Sequence, residues 1–144
     1  MTEQKRPLIL VVDSNENVLG EVAALLEGAG YALCCCTDVA AAMVYAQAHA
    51  PNLIICDANL PGESGLVLCE RVRRNDSLRH VPVMLLSPSQ TPDIIRRGCA
   101  GDVTYSVRKP FAAEVLLELV TYALCPPPAE VLMEPISDLF QPQG

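Results

Sequence analysis

The sequence has few aromatic residues and no tryptophan, so its core cannot be built around large rings. Aromatic residues make up 4% of the chain, whereas hydrophobic residues make up 51% and charged residues only 19%. Disordered chains have the opposite balance of charge and hydrophobicity. We therefore expect a compact folded domain whose core is filled by aliphatic side chains.

The chain also lacks a membrane-spanning run, a secretion signal and a basic stripe. No apolar stretch approaches the ~18 residues that a spanning helix needs, and the segment from Met1 to Pro7 is polar rather than an apolar leader. The formal net charge of −7 argues against direct capture of nucleic acid, whose backbone is itself anionic. The sequence predicts a cytoplasmic protein that contacts neither nucleic acid nor membrane directly.

The seven cysteines do not form the pattern of a disulfide framework. Their number is odd, and Cys34, Cys35 and Cys36 are consecutive. The other four show no C-x-x-C spacing and have neither His49 nor His80 near them in sequence, which argues against a metal–thiolate site. We predict reduced thiols that are mostly buried as small hydrophobic side chains.

Short apolar runs alternate with segments whose apolar residues recur every three or four positions. This alternation is typical of repeated βα units around a parallel sheet, and five units can be counted. The continuous apolar strands predict a sheet covered by helices on both faces, a doubly wound α/β fold. The predicted strands are 8–12, 31–36, 53–56, 81–86 and 103–107; the predicted helices are 15–27, one capped by Thr37 or Asp38 and ended by Pro51, 64–74, a short one from Pro92, and 112–124.

Three consecutive prolines, 126–128, end the last predicted helix. They predict a domain boundary after residue 125. We therefore divide the chain into one domain, 1–125, and a Pro-rich C-terminal tail or linker, 126–144.

Polar residues stand at the ends of four predicted strands. In an open parallel sheet, ligands bind where the carboxyl ends of the strands converge. A carboxylate that attacks phosphorus needs a divalent cation to offset charge, a lysine to hold phosphoryl oxygens and a hydroxyl near the transferred group. Magnesium suits such a site because it prefers hard oxygen ligands. The strand-end residues are Asp13 and Ser14, Asp57 as the predicted nucleophile, Ser87, and Lys109.

Four stretches, 10–13, 53–65, 81–87 and 108–111, resemble the receiver domains of bacterial two-component response regulators. They occur in the family's order and spacing, and the resemblance covers roughly residues 7–124. It implies a flavodoxin-like (βα)5 fold with strand order 2-1-3-4-5. It also implies a signalling switch that catalyses only its own Mg-dependent phosphorylation and dephosphorylation, and so is not a conventional enzyme.

The resemblance also implies roles for individual residues and partners. Asp57 would accept a phosphoryl group from a histidine kinase or phosphotransfer protein, and a downstream protein would read the result. The resemblance leaves open a homodimer through the fourth predicted helix, the fifth strand and the fifth helix. Implied ligands of Mg2+ are Asp13, Ser14, Asp57 and the main-chain carbonyl of Asn59; implied phosphoryl contacts are Ser87 and Lys109, with Pro110 following through a commonly cis peptide bond.

Ser14 departs from the family pattern, which usually has two adjacent acids after the first strand. It replaces a carboxylate that normally contacts the metal. A hydroxyl can still act as a ligand, and Glu16 is close enough in sequence to compensate. We therefore expect the magnesium affinity to be weakened rather than abolished.

Ser106 is a second departure, because many receivers have an aromatic residue three positions before the lysine. Neighbouring strand residues point to opposite faces, so Tyr105 can replace the missing ring only if a bulge re-aims it. Pro88 removes a backbone N–H from a position where family members often bind the phosphoryl group. The alternative is therefore a pseudo-receiver, a phosphorylation-independent protein-interaction module. A flavodoxin-like cofactor binder is disfavoured because no Gly-rich loop follows the first strand.

Overall fold

The structure, a computed structural model, describes residues 6–88 and 105–125. Seven strands and four helices lie within these residues. The strands are β1 (Leu8–Val12), β2 (Ala32–Cys36), β3 (Leu53–Asp57), β4 (Asn59–Leu60), β5 (Glu63–Ser64), β6 (Val83–Pro88) and β7 (Tyr105–Lys109); the helices are α1 (Glu16–Gly28), α2 (Val39–His49), α3 (Gly65–Arg74) and α4 (Ala113–Leu124).

Five strands form one parallel sheet in the order β2-β1-β3-β6-β7, while β4 and β5 form a separate antiparallel pair. Counted without that pair, the order is 2-1-3-4-5, so the predicted fold class is confirmed. The helix predicted from Pro92, the start of the fifth predicted strand at 103–104 and the tail 126–144 fall outside the described residues.

The two faces of the sheet carry two separate hydrophobic cores, because successive strand residues point to opposite sides. On one face, Leu10 and Ile54 pack with residues of α2 and α3, including Leu68. On the other face, Ile9 and Ile55 pack with residues of α1 and α4. The central strands are buried on both sides, which explains why their sequences are continuous apolar runs.

Three helices begin at residues whose side chains cap them. Asn15 Oδ1 accepts from Asn17 N at 2.8 Å, and Asp38 Oδ1 accepts from Ala41 N at 2.8 Å. Ser64 Oγ accepts from Leu66 N at 3.1 Å. Asn15 and Ser64 were predicted as first helical residues, and the structure makes them caps, as expected for short polar side chains at this position.

The fourth predicted strand, 81–86, lies two residues later in the structure, at Val83–Pro88. Val81 remains in the preceding turn, where its N–H donates to Leu78 O at 2.9 Å. The Val81 carbonyl accepts from Arg73 Nη1 at 2.7 Å, so it is held by α3 rather than by the sheet. The strand therefore starts only after Pro82.

The cysteine prediction is half right. The six cysteines in the described part of the chain form no disulfide. Only Cys56 and Cys69 are buried, while Cys35 and Cys125 are exposed, so the prediction of mostly buried thiols is wrong. β2 is an edge strand, which leaves its side chains only partly covered. None of the described helices combines the length and hydrophobicity that crossing a bilayer requires.

The segment between β3 and α3 folds as a tight hairpin where the sequence predicted only a loop. Gly62 adopts a φ of 77° in the turn between β4 and β5, a conformation that favours glycine. Gly65 then donates its N–H to Ala58 O at 2.8 Å. A Cβ on Gly65 would lie well inside van der Waals contact of the Asp57 carbonyl oxygen, so α3 can pack this closely against β3 only with glycine there.

Gly65→Ala should lower the free energy of unfolding by about 1–3 kcal/mol, because the new methyl group must displace the backbone of β3. Chemical denaturation of both proteins measures the change. Gly20→Ala is the control: Gly20 lies on α1 with open space where its Cβ would be, so the substitution should stabilise by about 0.5–1 kcal/mol. Equal stabilisation by both changes would contradict the close approach at Gly65.

Candidate functional site

The carboxyl ends of three parallel strands bring two carboxylates and one ammonium group into direct contact. Asp13 directly follows β1, Asp57 ends β3 and Lys109 ends β7. Lys109 Nζ lies 3.1 Å from Asp13 Oδ2 and 3.3 Å from Asp57 Oδ1. Of the residues that the sequence analysis selected, these three share one pocket. With each group ionised, the pocket retains one uncompensated negative charge.

Asp13 is fully buried, and both of its carboxylate oxygens have partners. Oδ1 accepts from Asn15 N at 2.9 Å, and Oδ2 pairs with Lys109. Its main-chain N–H donates to Cys36 O at 3.1 Å, which fixes the residue to the end of β2. The contact from the Asn15 main chain was not predicted; its sequence signal is Asp13 itself, since aspartate side chains often accept from the backbone N–H two residues on.

Asp57 is 7% exposed, enough for a ligand to reach it from one side. Oδ1 accepts from Asn59 N at 3.3 Å and also contacts Lys109. Oδ2 makes no hydrogen bond or ion pair with the described part of the chain. Burial raises the pKa of Asp57; the Asn59 N–H lowers it, the Asp13 charge raises it and Lys109 lowers it, with burial the largest effect.

Ser87 occupies the neighbouring strand β6, and its side chain is completely buried. Its Oγ has no hydrogen-bond partner within the described residues. A buried hydroxyl without a partner is energetically costly, so a group that formed a hydrogen bond with Ser87 Oγ would stabilise it. In the sheet, Ser87 pairs with Arg108 and Pro88 pairs with Lys109, which places Ser87 next to the strand end that carries the lysine.

The remaining predicted ligands are exposed residues near the same strand ends. Ser14 and Asn59 are both exposed, as is Glu16 at the start of α1. No group of three or more His, Cys, Asp and Glu side chains suited to a metal occurs in residues 6–88 and 105–125. Carboxylate, carbonyl and hydroxyl oxygens are nevertheless the hard ligands that magnesium prefers, so the donor set fits this ion.

The β7 side of the pocket shows no bulge that could re-aim Tyr105. The pairing between β6 and β7 is uninterrupted from Tyr105 to Lys109. Tyr105 packs on the second core, whereas Ser106 lines a groove beside α4. Tyr105 therefore does not take the place of the aromatic residue missing at position 106. The Lys109–Pro110 peptide bond is cis, as the resemblance implied.

Comparison with known families and proteins identifies the domain. The response regulator receiver domain family matches residues 9–121. The chain is 32% identical over 115 residues to the DNA-binding dual master transcriptional regulator RpaA of Synechocystis, covering 79% of this chain and 47% of RpaA. It is 27% identical over 112 residues to the polar-differentiation response regulator DivK of Brucella anthropi, covering 78% of this chain and 91% of DivK. The chain thus spans about half of RpaA but most of DivK.

Solved structures with the same fold include the chemotaxis response regulator CheY4 of Vibrio cholerae. Its TM-score is 0.78 at 28% identity, covering 83% of this chain and 100% of CheY4. A response regulator from Chloroflexus aurantiacus has a TM-score of 0.80 at 28% identity, covering 83% and 98%. Receiver domains are signalling modules that generally bind Mg2+ for phosphorylation and interact with histidine kinases and downstream effectors. With this match across most of its length, the chain belongs to the response-regulator receiver domain family of two-component signalling.

Proposed function

We propose that this receiver is a phosphorylation-dependent switch in which Asp57 accepts a phosphoryl group from a phosphohistidine of a histidine kinase or phosphotransfer protein. One observation carries the proposal. The Asp57 carboxylate is held at Oδ1 by Lys109 at 3.3 Å, while Oδ2 is left unpaired within the described part of the chain. A positioned carboxylate with one oxygen available is what nucleophilic attack on phosphorus requires.

The transfer exchanges one bond to phosphorus for another. Asp57 Oδ2 attacks the phosphorus atom, a P–O bond forms, and the P–N bond to the donor histidine breaks. The electron pair of that bond stays on the imidazole nitrogen. Lys109 Nζ, already in the pocket, contacts the phosphoryl oxygens and offsets their negative charge. Ser87 Oγ, buried without a partner among the described residues, supplies a hydroxyl for the same oxygens.

Magnesium is the cofactor proposed for this pocket. Asp13 and Asp57 would hold it with the Asn59 main-chain carbonyl and the Ser14 hydroxyl. When bound, the cation offsets the negative charge that the carboxylate and the phosphoryl group bring together. Ser14 contributes no charge to this set, so the affinity for the metal should be lower than it would be with a second acid at that position.

The proposed output surface runs along β7 and the start of α4. A groove of about 310 Å³ lies there, lined by Ser106, Phe111 and Val115 among others. Val115 is 47% exposed and so offers apolar surface to a partner. A downstream protein, or a second copy of the receiver, would contact this surface. Contact with nucleic acid or membrane is not proposed.

Ser14 favours one rival function, a pseudo-receiver that binds proteins without being phosphorylated. The two can be separated by titrating the protein with beryllofluoride in the presence of Mg2+, because this anion mimics an aspartyl-bound phosphoryl group. Saturable binding that disappears in Asp57→Asn supports the switch. Absence of binding in the unaltered protein supports the rival.

Asp57→Asn should abolish covalent phosphorylation, because an amide cannot act as the nucleophile. Intact-mass analysis after incubation with a small phosphodonor and Mg2+ measures the added phosphoryl group. Asp76→Asn is the control, since Asp76 has a 97% exposed side chain in the turn after α3 and should leave the labelling unchanged. A phosphorylated Asp57→Asn protein would place the acceptor elsewhere.

Ser14→Asp should raise the affinity for Mg2+ by about tenfold, because the affinity of oxygen sites grows with the number of charged ligands. Calorimetric titration with MgCl2 measures the change. Ser77→Asp adds the same charge in the exposed turn after α3 and should leave the affinity unchanged. If both substitutions raise the affinity equally, the hydroxyl of Ser14 does not face the metal.

The raised pKa of Asp57 predicts a pH-dependent stability. The pKa of Asp57 is higher in the folded protein than in the unfolded chain, so the folded protein favours the protonated acid. The free energy of unfolding is therefore undiminished below the unfolded-state pKa, and it falls as the pH rises through the folded-state pKa. Asp57→Asn should therefore melt a few degrees higher than the unaltered protein at neutral pH, and the difference should shrink towards about pH 4. Thermal melts of Asp57→Asn and the Asp76→Asn control at both pH values test this. A difference that does not change with pH would contradict it.

A further inference from the structure

The edge strand β2 carries two thiol groups that contact each other. Cys34 and Cys36 are two positions apart, so their side chains lie on the same face of the sheet, where both pack against the core beside α2 and α3. The two thiols are hydrogen-bonded to each other, and the Tyr45 hydroxyl is hydrogen-bonded to Cys34. Cys35, between them, belongs to the opposite face and is exposed. The strand therefore presents a half-buried pair of thiols beside a single exposed one.

The electrostatic surroundings of this pair favour a bound cation. Burial and, more weakly, the neighbouring Cys34 and Asp38 raise the pKa of Cys36 to about 11. Among the described residues, the groups that shift this pKa include no cation. Thiols that react with oxidants or electrophiles have a lowered pKa, so this pair is not arranged for such chemistry. A cation that replaced the thiol protons would offset the negative charge that burial and Asp38 make unfavourable.

The spacing of the pair suits a bridging metal better than a disulfide. Two positions along a strand separate the Cα atoms by about 6.6 Å. This is close to the upper limit of about 6.8 Å that a disulfide spans, so closing the bond would contract the strand. Two metal–thiolate bonds of about 2.3 Å in line hold the sulfur atoms about 4.6 Å apart. A metal between the thiols therefore leaves the strand extended and its pairing with β1 intact.

The number and type of the ligands select a soft ion. Zinc in structural sites takes four ligands, and no third His, Cys, Asp or Glu side chain completes such a group within residues 6–88 and 105–125. Magnesium prefers oxygen ligands. Thiolates select soft ions such as Cu(I), which is stable with two ligands in line. The pair thus matches Cu(I) in both ligand chemistry and ligand number.

We propose that Cys34 and Cys36 form a two-thiolate binding site for Cu(I) on the edge strand, separate from the acidic pocket. On binding, one Cu–S bond forms to each sulfur, both S–H bonds break, and two protons pass to solvent. The copper remains Cu(I), so no oxidant or reductant takes part. The site uses no residue of the phosphorylation pocket, so the inference stands or falls independently of the proposed function.

The test measures the transfer of Cu(I) from a chromophoric chelator to the reduced protein without oxygen. It compares the unaltered protein with Cys34→Ser, Cys36→Ser and Cys35→Ser. Cys35→Ser is the matched control, because it makes the same substitution on the same strand but on the opposite, exposed face. Circular dichroism checks that each variant is folded.

The unaltered protein and Cys35→Ser should each take up one Cu(I) with the same affinity. Cys34→Ser and Cys36→Ser should each weaken binding by about a hundredfold or more, because the second thiolate of a chelating pair binds at a high effective concentration. Full binding in either Cys34→Ser or Cys36→Ser would place the copper on other thiols and overturn the proposal. An equal loss in Cys35→Ser, or no binding by the unaltered protein, also overturns it.

X-ray absorption at the copper edge provides a second readout that does not depend on a variant. With one Cu(I) bound to the unaltered protein, the metal should have two sulfur neighbours in line. Three or more sulfur neighbours, or nitrogen or oxygen neighbours, contradict the two-thiolate site. So does a loss of two hydrogen atoms in the intact mass after copper is added, since that result would show a disulfide instead of a bound metal.

Discussion

The bridge from Lys109 to Asp13 and Asp57 is the interaction on which the pocket depends. Two carboxylates at neighbouring strand ends repel each other, and burial makes the repulsion stronger. The ammonium group offsets this repulsion by lying within 3.3 Å of both. The parallel sheet makes the bridge possible, because β1, β3 and β7 all end at the same edge. Burial, and to a lesser extent the Asp13 charge, still raise the pKa of Asp57 against the lowering effects of the Asn59 N–H and Lys109.

The backbone around Asp57 is held by several close contacts. The Asp57 carbonyl accepts from Cys56 Sγ at 3.2 Å, and Gly65 approaches the same carbonyl so closely that no Cβ fits. The N–H of Gly65 is bound to Ala58, the residue between the acid and the hairpin. The start of α3 therefore packs directly on the main chain that carries Asp57. The main chain that carries the carboxylate is thus fixed by contacts with Cys56 and with the start of α3.

Much of the fold and of the pocket could be predicted from the sequence, because burial on both faces of a parallel sheet leaves continuous apolar runs whose ends can be read directly. Asp13, Asp57 and Lys109 were placed together on that ground, and the structure brings them into contact. Contacts between residues that are far apart in the chain could not be predicted from the sequence. Nothing in the sequence showed that Lys109 would pair with Asp13 as well as Asp57, or that Arg73 would bind Val81 O and so delay the start of β6.

Ser106 limits how a change at the pocket can reach the rest of the domain. Ser106 has no aromatic ring that could rotate. Tyr105 packs on the opposite face of β7, where burial and the neighbouring Tyr122 raise the pKa of its hydroxyl. Within the described residues, the end of β7 connects the pocket to the groove beside α4. Lys109 contacts both acids, and Pro110 and Phe111, directly after it, line the groove. The pocket and the groove are thus adjacent along the backbone at the end of β7, and this connection involves no aromatic side chain at position 106.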